Sequence, residues 1–404
     1  MEHRLVANIE KALGWTGPKE LGQDFARGQL SDPELCGRLL TPQRLLDLVM
    51  RRSMPAHRLQ CLVDGEFLHP RRYLATATAR TGEMPMADMQ RLGALLKSGC
   101  TMVVDQLNAY DPTLEIACRA LQWWAHELVQ VNAFLTTGEA SGFRLHWDDH
   151  DVVIVQLAGE KSWEVRGLSR PVPMYRDGAP NLEPPDEIVW TGTLRAGEVM
   201  HIPRGYWHQA TRQERGDGYS LHVTFGLTKR TGAHWLSWLA DQSRQQDLFR
   251  HDIERWGTPE DWMAQHRVFV DAAERLGTDS SITDYLDRRE HEQPASRHVV
   301  THGVFGPPTE VVCLSEFPPK MTINEDELVT VRAPHGRKIQ FKLAAVPALR
   351  LLLSGRPVVI DKVSADSGAD ASVLAEVLLA EGVCGEVTAE LAAGYRSMLM
   401  PAGL

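Results

Sequence analysis

The stretch FRLHWDDHDVVIVQLAGEKSWEV, residues 143–165, holds five potential metal ligands: His146, Asp148, Asp149, His150 and Asp151. Read as a helix, it puts His146 and His150 one turn apart on one face, the spacing of a zinc-metalloprotease helix. That pattern needs a Glu directly after the first His, and Trp147 stands there. The VVIVQL run that follows is β-branched and Gly142 precedes, so a strand is the better reading. Alternate side chains of a strand share a face, which sets His146 and Asp148 together and turns Trp147 away. Asp149, His150 and Asp151 are then expected at a solvated strand entrance. A third ligand must come from a strand distant in sequence. LRAGEVMHIPRGYWHQA offers His208 after a strand punctuated by Gly and Pro, with His201 and His222 as competitors. Two His and one carboxylate with open positions suit non-haem Fe(II) oxygen chemistry.

A strand-borne site needs a β scaffold, and the chain has one in its middle. From about residue 127, LVQVNAFLTT, DVVIVQLAG, KSWEVRG, EIVWTGTLRAG, EVMHIPRG and YSLHVTFGL are short β-rich runs separated by Gly, Pro and Asp. This spacing predicts a sandwich or barrel, with RGLSRPVPMYRDGAPNLEPPDE as a long Pro-rich insertion. Before it, TPQRLLDLVMRR (Thr41 as N-cap, Pro42 first in the helix), DMQRLGALLKSG and PTLEIACRALQWW carry the helical period, and CTMVVDQL reads as a buried strand. After Thr228, HWLSWLADQSRQQDLFRHDIERW reads as one long amphipathic stretch, and Thr258 with Asp261 starts the next helix. Near the end, DELVTVRA and KIQFKL flank a turn at His335–Gly336 and precede two short helical patterns near 347–353 and 371–381. A hairpin with short helices fits a winged-helix-like module, but acidic residues outnumber basic ones there, which gives DNA reading little support.

The bulk numbers limit the function classes. At 404 residues the chain is too long for one ordinary domain. A hydrophobic content of 43%, with 24% charged residues, is that of a globular protein. A net charge of −10 offers no electrostatic reason to bind nucleic acid or a membrane. The six cysteines are scattered, with no zinc-ribbon or CxxC spacing, and are expected to be free thiols in a reducing cytoplasm. No apolar run is long enough to span a bilayer and the N-terminus lacks an apolar signal region, so a cytoplasmic protein is expected.

Residues 142–165 followed by 194–210 resemble the JmjC/cupin-type Fe(II)- and 2-oxoglutarate-dependent oxygenases. Within these the ribosomal oxygenases, which hydroxylate ribosomal proteins, are the nearest branch. The resemblance implies an α+β protein. A double-stranded β-helix (a cupin/JmjC jelly roll) with flanking helices would fill residues 1–230, a helical dimerisation segment 231–295, and a winged-helix-like domain 296–404. It implies that His146, Asp148 and His208 hold iron and are the catalytic centre, and that a basic residue, here Lys161, binds the far carboxylate of 2-oxoglutarate. Strand parity supports Lys161: it shares a face with Trp163 and Val165, and a lysine buried beside a barrel metal needs an anionic partner. The alternative leaves Lys161 exposed in a turn after Gly159. Asn132 and Thr136, with Thr137 close behind, match a polar segment lining the co-substrate pocket; Ser220 and His222 would support it from the last strand. The implied activity is hydroxylation of a C–H bond of a protein or peptide side chain by a homodimer, with a ribosomal protein as one substrate class. The same chemistry on a small molecule or biosynthetic peptide, and a non-catalytic cupin-like binding protein, are the rival readings.

Overall fold

The computed structural model describes residues 2–400 apart from 53, 80–81, 177–182, 292–296 and 325–326, and only the backbone of Thr78, Ala79 and His335. The centre of the Pro-rich insertion and the expected boundary at 295/296 thus lie outside the described residues. The N-terminal part runs α1 (Arg4–Leu13), β1 (Ala26–Gln29), α2 (Glu34–Leu39), α3 (Pro42–Arg51), β2 (Leu59–Val63) and β3 (Glu66–Phe67). It continues through β4 (Leu74–Ala79), β5 (Gly82–Ala87), α4 (Met89–Ser98), β6 (Thr101–Val104) and α5 (Pro112–Ala125). The expected cap is in place, the Thr41 hydroxyl accepting from the Arg44 amide with Pro42 in the first turn, and Asp111 caps α5 by accepting from Thr113 and Leu114. The faces that α3 and α5 bury, led by Leu45, Leu48, Leu114 and Leu121, form one core with the sheet.

The β scaffold follows as β7 (Val129–Thr137), β8 (Asp151–Arg166), β9 (Ile188–Arg195), β10 (Glu198–Ile202), β11 (Trp207–Thr211) and β12 (Tyr219–Leu227). The main antiparallel sheet has the order β1-β10-β8-β12-β7-β6-β2-β3, and β9 and β11 pair with the far half of β8. DVVIVQLAG and KSWEVRG, expected as two strands, are one 16-residue strand. Its first half pairs with β10 and β12, its second with β9 and β11. The two halves meet at Gly159 (φ 62°), where an added Cβ would lie 1.9 Å from the Tyr219 carbonyl oxygen, opposite a bulge at Leu221/His222. One strand thus serves both layers of the double-stranded β-helix, and Val152, Ile154, Trp163, Val165 and Leu194 fill part of the space between them.

The long stretch after Thr228 is two helices, not one: α6 (Gly232–Ser243) and α7 (Asp247–Arg250), separated at Arg244–Gln246. α8 (Pro259–Asp279) opens with the expected Thr258/Asp261 capping box, and α9 (Ile282–His291) follows. The last part holds β13 (Glu310–Cys313), β14 (Met321–Ile323), β15 (Leu328–Arg332), β16 (Lys338–Lys342), α10 (Val346–Leu352), β17 (Val358–Val359), α11 (Ile360–Ser367), α12 (Ala371–Ala380), β18 (Cys384–Glu386) and α13 (Ala389–Tyr395). The β15–β16 hairpin, α10 and α12 stand where the pattern put them, but two three-stranded sheets, β17-β13-β18 and β14-β15-β16, replace a single hairpin. This part is joined to the rest of the chain. Trp123 of α5 packs in its core and donates to the Ser315 carbonyl at 2.9 Å, and Ile116 packs with Leu391 and Tyr395. All six cysteines are free and buried. Among the described residues, no helix is long and apolar enough to cross a membrane.

Candidate metal centre

His146, Asp148 and His208 come together: one ligand atom from each lies within 4.8 Å of the others. They do so by a different route from strand parity. The segment 142–150 is coil ahead of β8, tied to β11 where His146 and His208 form an isolated antiparallel bridge and where the Gly142 amide donates to the Ala210 carbonyl at 2.9 Å. The two histidines exchange both backbone hydrogen bonds, His146 N to His208 O at 3.1 Å and His208 N to His146 O at 2.7 Å. The imidazoles are thereby fixed as neighbours, with centroids 4.4 Å apart. Asp148 is positioned from its own carbonyl, which accepts from the Gly205 amide at 3.0 Å.

Each imidazole is also set in tautomer. His146 Nδ1 lies 2.8 Å from the Arg144 carbonyl and His208 Nδ1 lies 3.1 Å from the Tyr206 carbonyl. A carbonyl only accepts, so each Nδ1 carries the proton and each Nε2 keeps its lone pair for a ligand. His208 Nε2 stands 3.5 Å from Asp148 Oδ2. Burial, then the His146 ring, pushes the His208 imidazole down to about 4, so it is neutral, as a metal ligand must be. Two imidazole nitrogens and one carboxylate oxygen, bordering a cavity of about 260 Å³, are the donor set and the open side that Fe(II) needs.

Deeper in the same cavity Lys161 is 1% exposed, which removes the exposed-turn alternative. Its Nζ donates to Thr136 Oγ1 at 2.9 Å, and Thr136 in turn shares a hydrogen bond of 2.9 Å with Thr101. Burial, with the Arg212 cation adding to it, pulls the Lys161 ammonium down to about 7. Alternation along β7 turns Asn132, Phe134 and Thr136 to this side, and Asn132 Oδ1 accepts from the Gln106 amide at 2.9 Å. Thr137 faces the other way and bonds the Cys100 backbone at 3.1 and 3.3 Å, so it leaves the candidate set. His222 lines the cavity, stacked on Phe134 at 4.7 Å and edge-on to Trp163 at 5.3 Å, and its buried Nδ1 has no partner among the described residues. Ser220 accepts from the Gln156 amide at 2.8 Å, behind the site.

The competitor His201 is occupied elsewhere: its Nδ1 lies 2.9 Å from the Asp24 carbonyl, its Nε2 accepts from Gly22, and Trp15 packs edge-on against it. The solvated entrance is only partly so. Asp149 and His150 are half-buried, but Asp151 is 1% exposed, pairs with Lys229 at 3.4 Å and accepts from the Arg204 amide at 2.9 Å. It is a structural ion pair closing the start of β8. Sequence reasoning missed Phe134, Gln60 and Asp105, all of which line the cavity together with Trp163, which shares the Lys161 face. Phe134 was legible from strand parity, since it alternates with Asn132 and Thr136. Gln60 and Asp105, joined at 3.0 Å, come from the first hundred residues or so, where no local signal aims at the metal.

Residues 109–234 match the JmjC domain family. The chain is 31% identical over 126 residues to the bifunctional lysine-specific demethylase and histidyl-hydroxylase NO66 of Drosophila persimilis, covering 31% of this chain and 18% of that one. It is 34% identical over 131 residues to the Dictyostelium discoideum protein of that name, covering 32% and 25%. The chain thus spans a quarter or less of the length of these two relatives. Among solved structures, the Escherichia coli ribosomal oxygenase YcfD superposes with a TM-score of 0.57 at 17% identity, covering 96% of this chain and 100% of that one. A complex of YcfD with cobalt and 2-oxoglutarate superposes with a TM-score of 0.56 at 16% identity, covering 95% and 99%. Residues 109–234 are therefore similar to the JmjC domain family, within a chain that shares its fold with Escherichia coli YcfD.

Proposed function

We propose that the protein is an Fe(II)- and 2-oxoglutarate-dependent oxygenase that hydroxylates a C–H bond in the side chain of a protein or peptide, with ribosomal proteins as the substrate class to test first. The observation that carries this is the convergence of His146, Asp148 and His208 beside a cavity that also holds the buried Lys161. The relatives' names support the chemistry and the polypeptide acceptor. His146, Asp148 and His208 would hold the iron. Bound Fe(II), with 2-oxoglutarate and O₂, supplies an oxidant for an unactivated C–H bond, with succinate and CO₂ as co-products.

The remaining work belongs to the chain. Lys161 and Thr136 offer donors to the far carboxylate of 2-oxoglutarate, and His222 adds a ring held rigidly by Phe134 and Trp163. Asn132 borders the same cavity. Burial and the Arg212 cation hold the Lys161 ammonium down to about 7, and an anionic partner at this position favours its charged form. No side chain needs to act as nucleophile or general base.

The proposal extends to the assembly. Residues 1–230 form the oxygenase unit, 231–295 a dimerisation segment and 296–404 a C-terminal module, in a cytoplasmic homodimer. In support, the 21-residue α8 buries only Ala272, and Leu236, Trp256, Trp262 and Ile282 are 60%, 87%, 46% and 61% exposed. Apolar exposure on this scale in one helical segment calls for a partner surface. Anaerobic titration with Fe(II) and 2-oxoglutarate tests the chemistry. A metal-to-ligand charge-transfer band should appear in the native protein and vanish in His208→Ala, and its absence from the native protein would overturn the reading. A one-oxygen mass increase on ribosomal proteins, present only in cells carrying the gene, tests the substrate class.

A further inference from the structure

Two exposed aromatic side chains bracket the metal-binding segment from outside the cavity. Phe67, at the edge strand β3, is 60% exposed and packs on Phe143 at 5.5 Å. Phe143 in turn packs edge-on to the ligand His146 at 5.4 Å and meets Phe134 of the cavity at 6.0 Å. At the other end of the segment Tyr175 is 66% exposed and packs at 4.9 Å on Trp147, the residue between the two ligands His146 and Asp148. The Tyr175 amide donates to Asp149 Oδ2 at 3.3 Å, and its hydroxyl points to the Trp147 carbonyl at 3.5 Å. Neither aromatic borders the cavity itself.

A single exposed Phe or Tyr needs no explanation. Two of them, from segments more than a hundred residues apart, each backed by an aromatic of one short metal-binding segment, form a pattern with a use. Each pair presents a rigid ring face to solvent at low entropic cost, and carboxylates accompany both: Glu66, ion-paired to Arg144, beside Phe67, and Asp149 beside Tyr175. Ring faces next to carboxylates attract aliphatic and cationic side chains. Neither ring borders the cavity of about 260 Å³, so an acceptor that touches them must extend beyond it. A polypeptide that sends one side chain inward must cross the mouth and lay its flanking residues there.

We infer that Phe67 and Tyr175 form a two-sided aromatic rim that grips the residues flanking the hydroxylated position of an extended polypeptide, with a preference for Lys, Arg or aliphatic side chains. The inference rests on the oxygenase reading and deepens it by naming residues that hold the acceptor chain. Neither residue is a catalytic residue; each acts on acceptor specificity alone.

The test uses the full chain, with the ribosomal-protein fraction of the gene-deleted host as acceptor, in two arms. In the turnover arm, Phe67→Ala and Tyr175→Ala should each raise the half-saturating acceptor concentration about tenfold while the maximal rate changes little. Phe67→Tyr and Tyr175→Phe should restore it. In the binding arm, the protein loaded with Mn(II) and 2-oxoglutarate, which does not turn over, should lose acceptor affinity by the same factor. The anaerobic Fe(II)/2-oxoglutarate charge-transfer band reports an intact centre in every variant. Unchanged acceptor affinity in the alanine variants, or a lost band in step with lost affinity, overturns the rim. A wild-type protein with no band and no succinate overturns the oxygenase reading instead, and the binding arm still judges the rim.

Discussion

Replacing Lys161 with Met keeps the stem and removes the charge, so it separates anion binding from packing. Lys161 is 1% exposed, and among the described residues no carboxylate pairs with it; Thr136 Oγ1 at 2.9 Å is a neutral acceptor. A charge-assisted contact to a carboxylate is worth about 1.5–3 kcal/mol, which predicts about 10–150-fold weaker 2-oxoglutarate binding in Lys161→Met. Anaerobic titration of 2-oxoglutarate at fixed Fe(II), followed by the charge-transfer band, measures it, and the Fe(II) requirement should stay the same. The pH dependence has a definite sign. Burial and Arg212 set the folded-state value at about 7, below the ordinary 10.5. Below pH 7 the ammonium is already present and 2-oxoglutarate binds most tightly. Above it each binding event must take up a proton, so wild-type affinity falls by about tenfold per pH unit while the variant's stays flat. For folding, the unfolded chain holds the Lys161 proton between about 7 and 10.5 and the folded one does not, so stability rises with pH across that window. Without ligand, Lys161→Met should therefore be more stable than wild type at pH 6, with the gap narrowing toward pH 10, as read by chemical denaturation. Equal 2-oxoglutarate affinity in the two proteins, or a wild type more stable than the variant at pH 6, would refute the reasoning.

Other perturbations follow from the same geometry. Arg212 is 3% exposed and donates to the carbonyls of Gly138, Glu160 and Tyr219 at 2.8–3.1 Å, so Arg212→Met should destabilise by about 2–4 kcal/mol in urea titration. Gly159→Ala must place a Cβ 1.9 Å from the Tyr219 carbonyl at positive φ; a loss of at least about 2 kcal/mol is expected, together with a weaker charge-transfer band as β8 shifts. Sedimentation should report a dimer for the native chain and a monomer for the Trp256→Glu, Trp262→Glu double variant; a native monomer would remove the dimerisation role of residues 231–295.

Chemistry that depends on residue type and local spacing was legible in the chain. The β-branched run after Asp151 and the turn residues around it set strand against helix, and that choice excluded a His146/His150 zinc pair. Helix starts carried their caps in plain sight at Thr41 and Thr258, because capping is settled within four residues. The family resemblance pointed to Asn132 and Thr136, yet it could not separate Thr136 from Thr137. Which of two adjacent residues faces inward depends on what lies on each side of the sheet, and Cys100 lies against Thr137.

Tertiary structure decided what long-range contacts determine. The metal-binding segment is a coil held by backbone hydrogen bonds to β11 and to Gly205, so the convergence of His146, Asp148 and His208 arises from long-range hydrogen bonds rather than strand parity. Asp151, expected in solvent, is buried because Lys229, almost eighty residues away, neutralises it. Phe67 and Tyr175 meet the same short segment from opposite ends although nothing in either local sequence points there. Residue identity and short-range spacing determined the ligand types, the strands and the caps. Burial, charge pairing and the shape of the mouth are sums over residues distant in sequence, and only the folded chain fixes those sums.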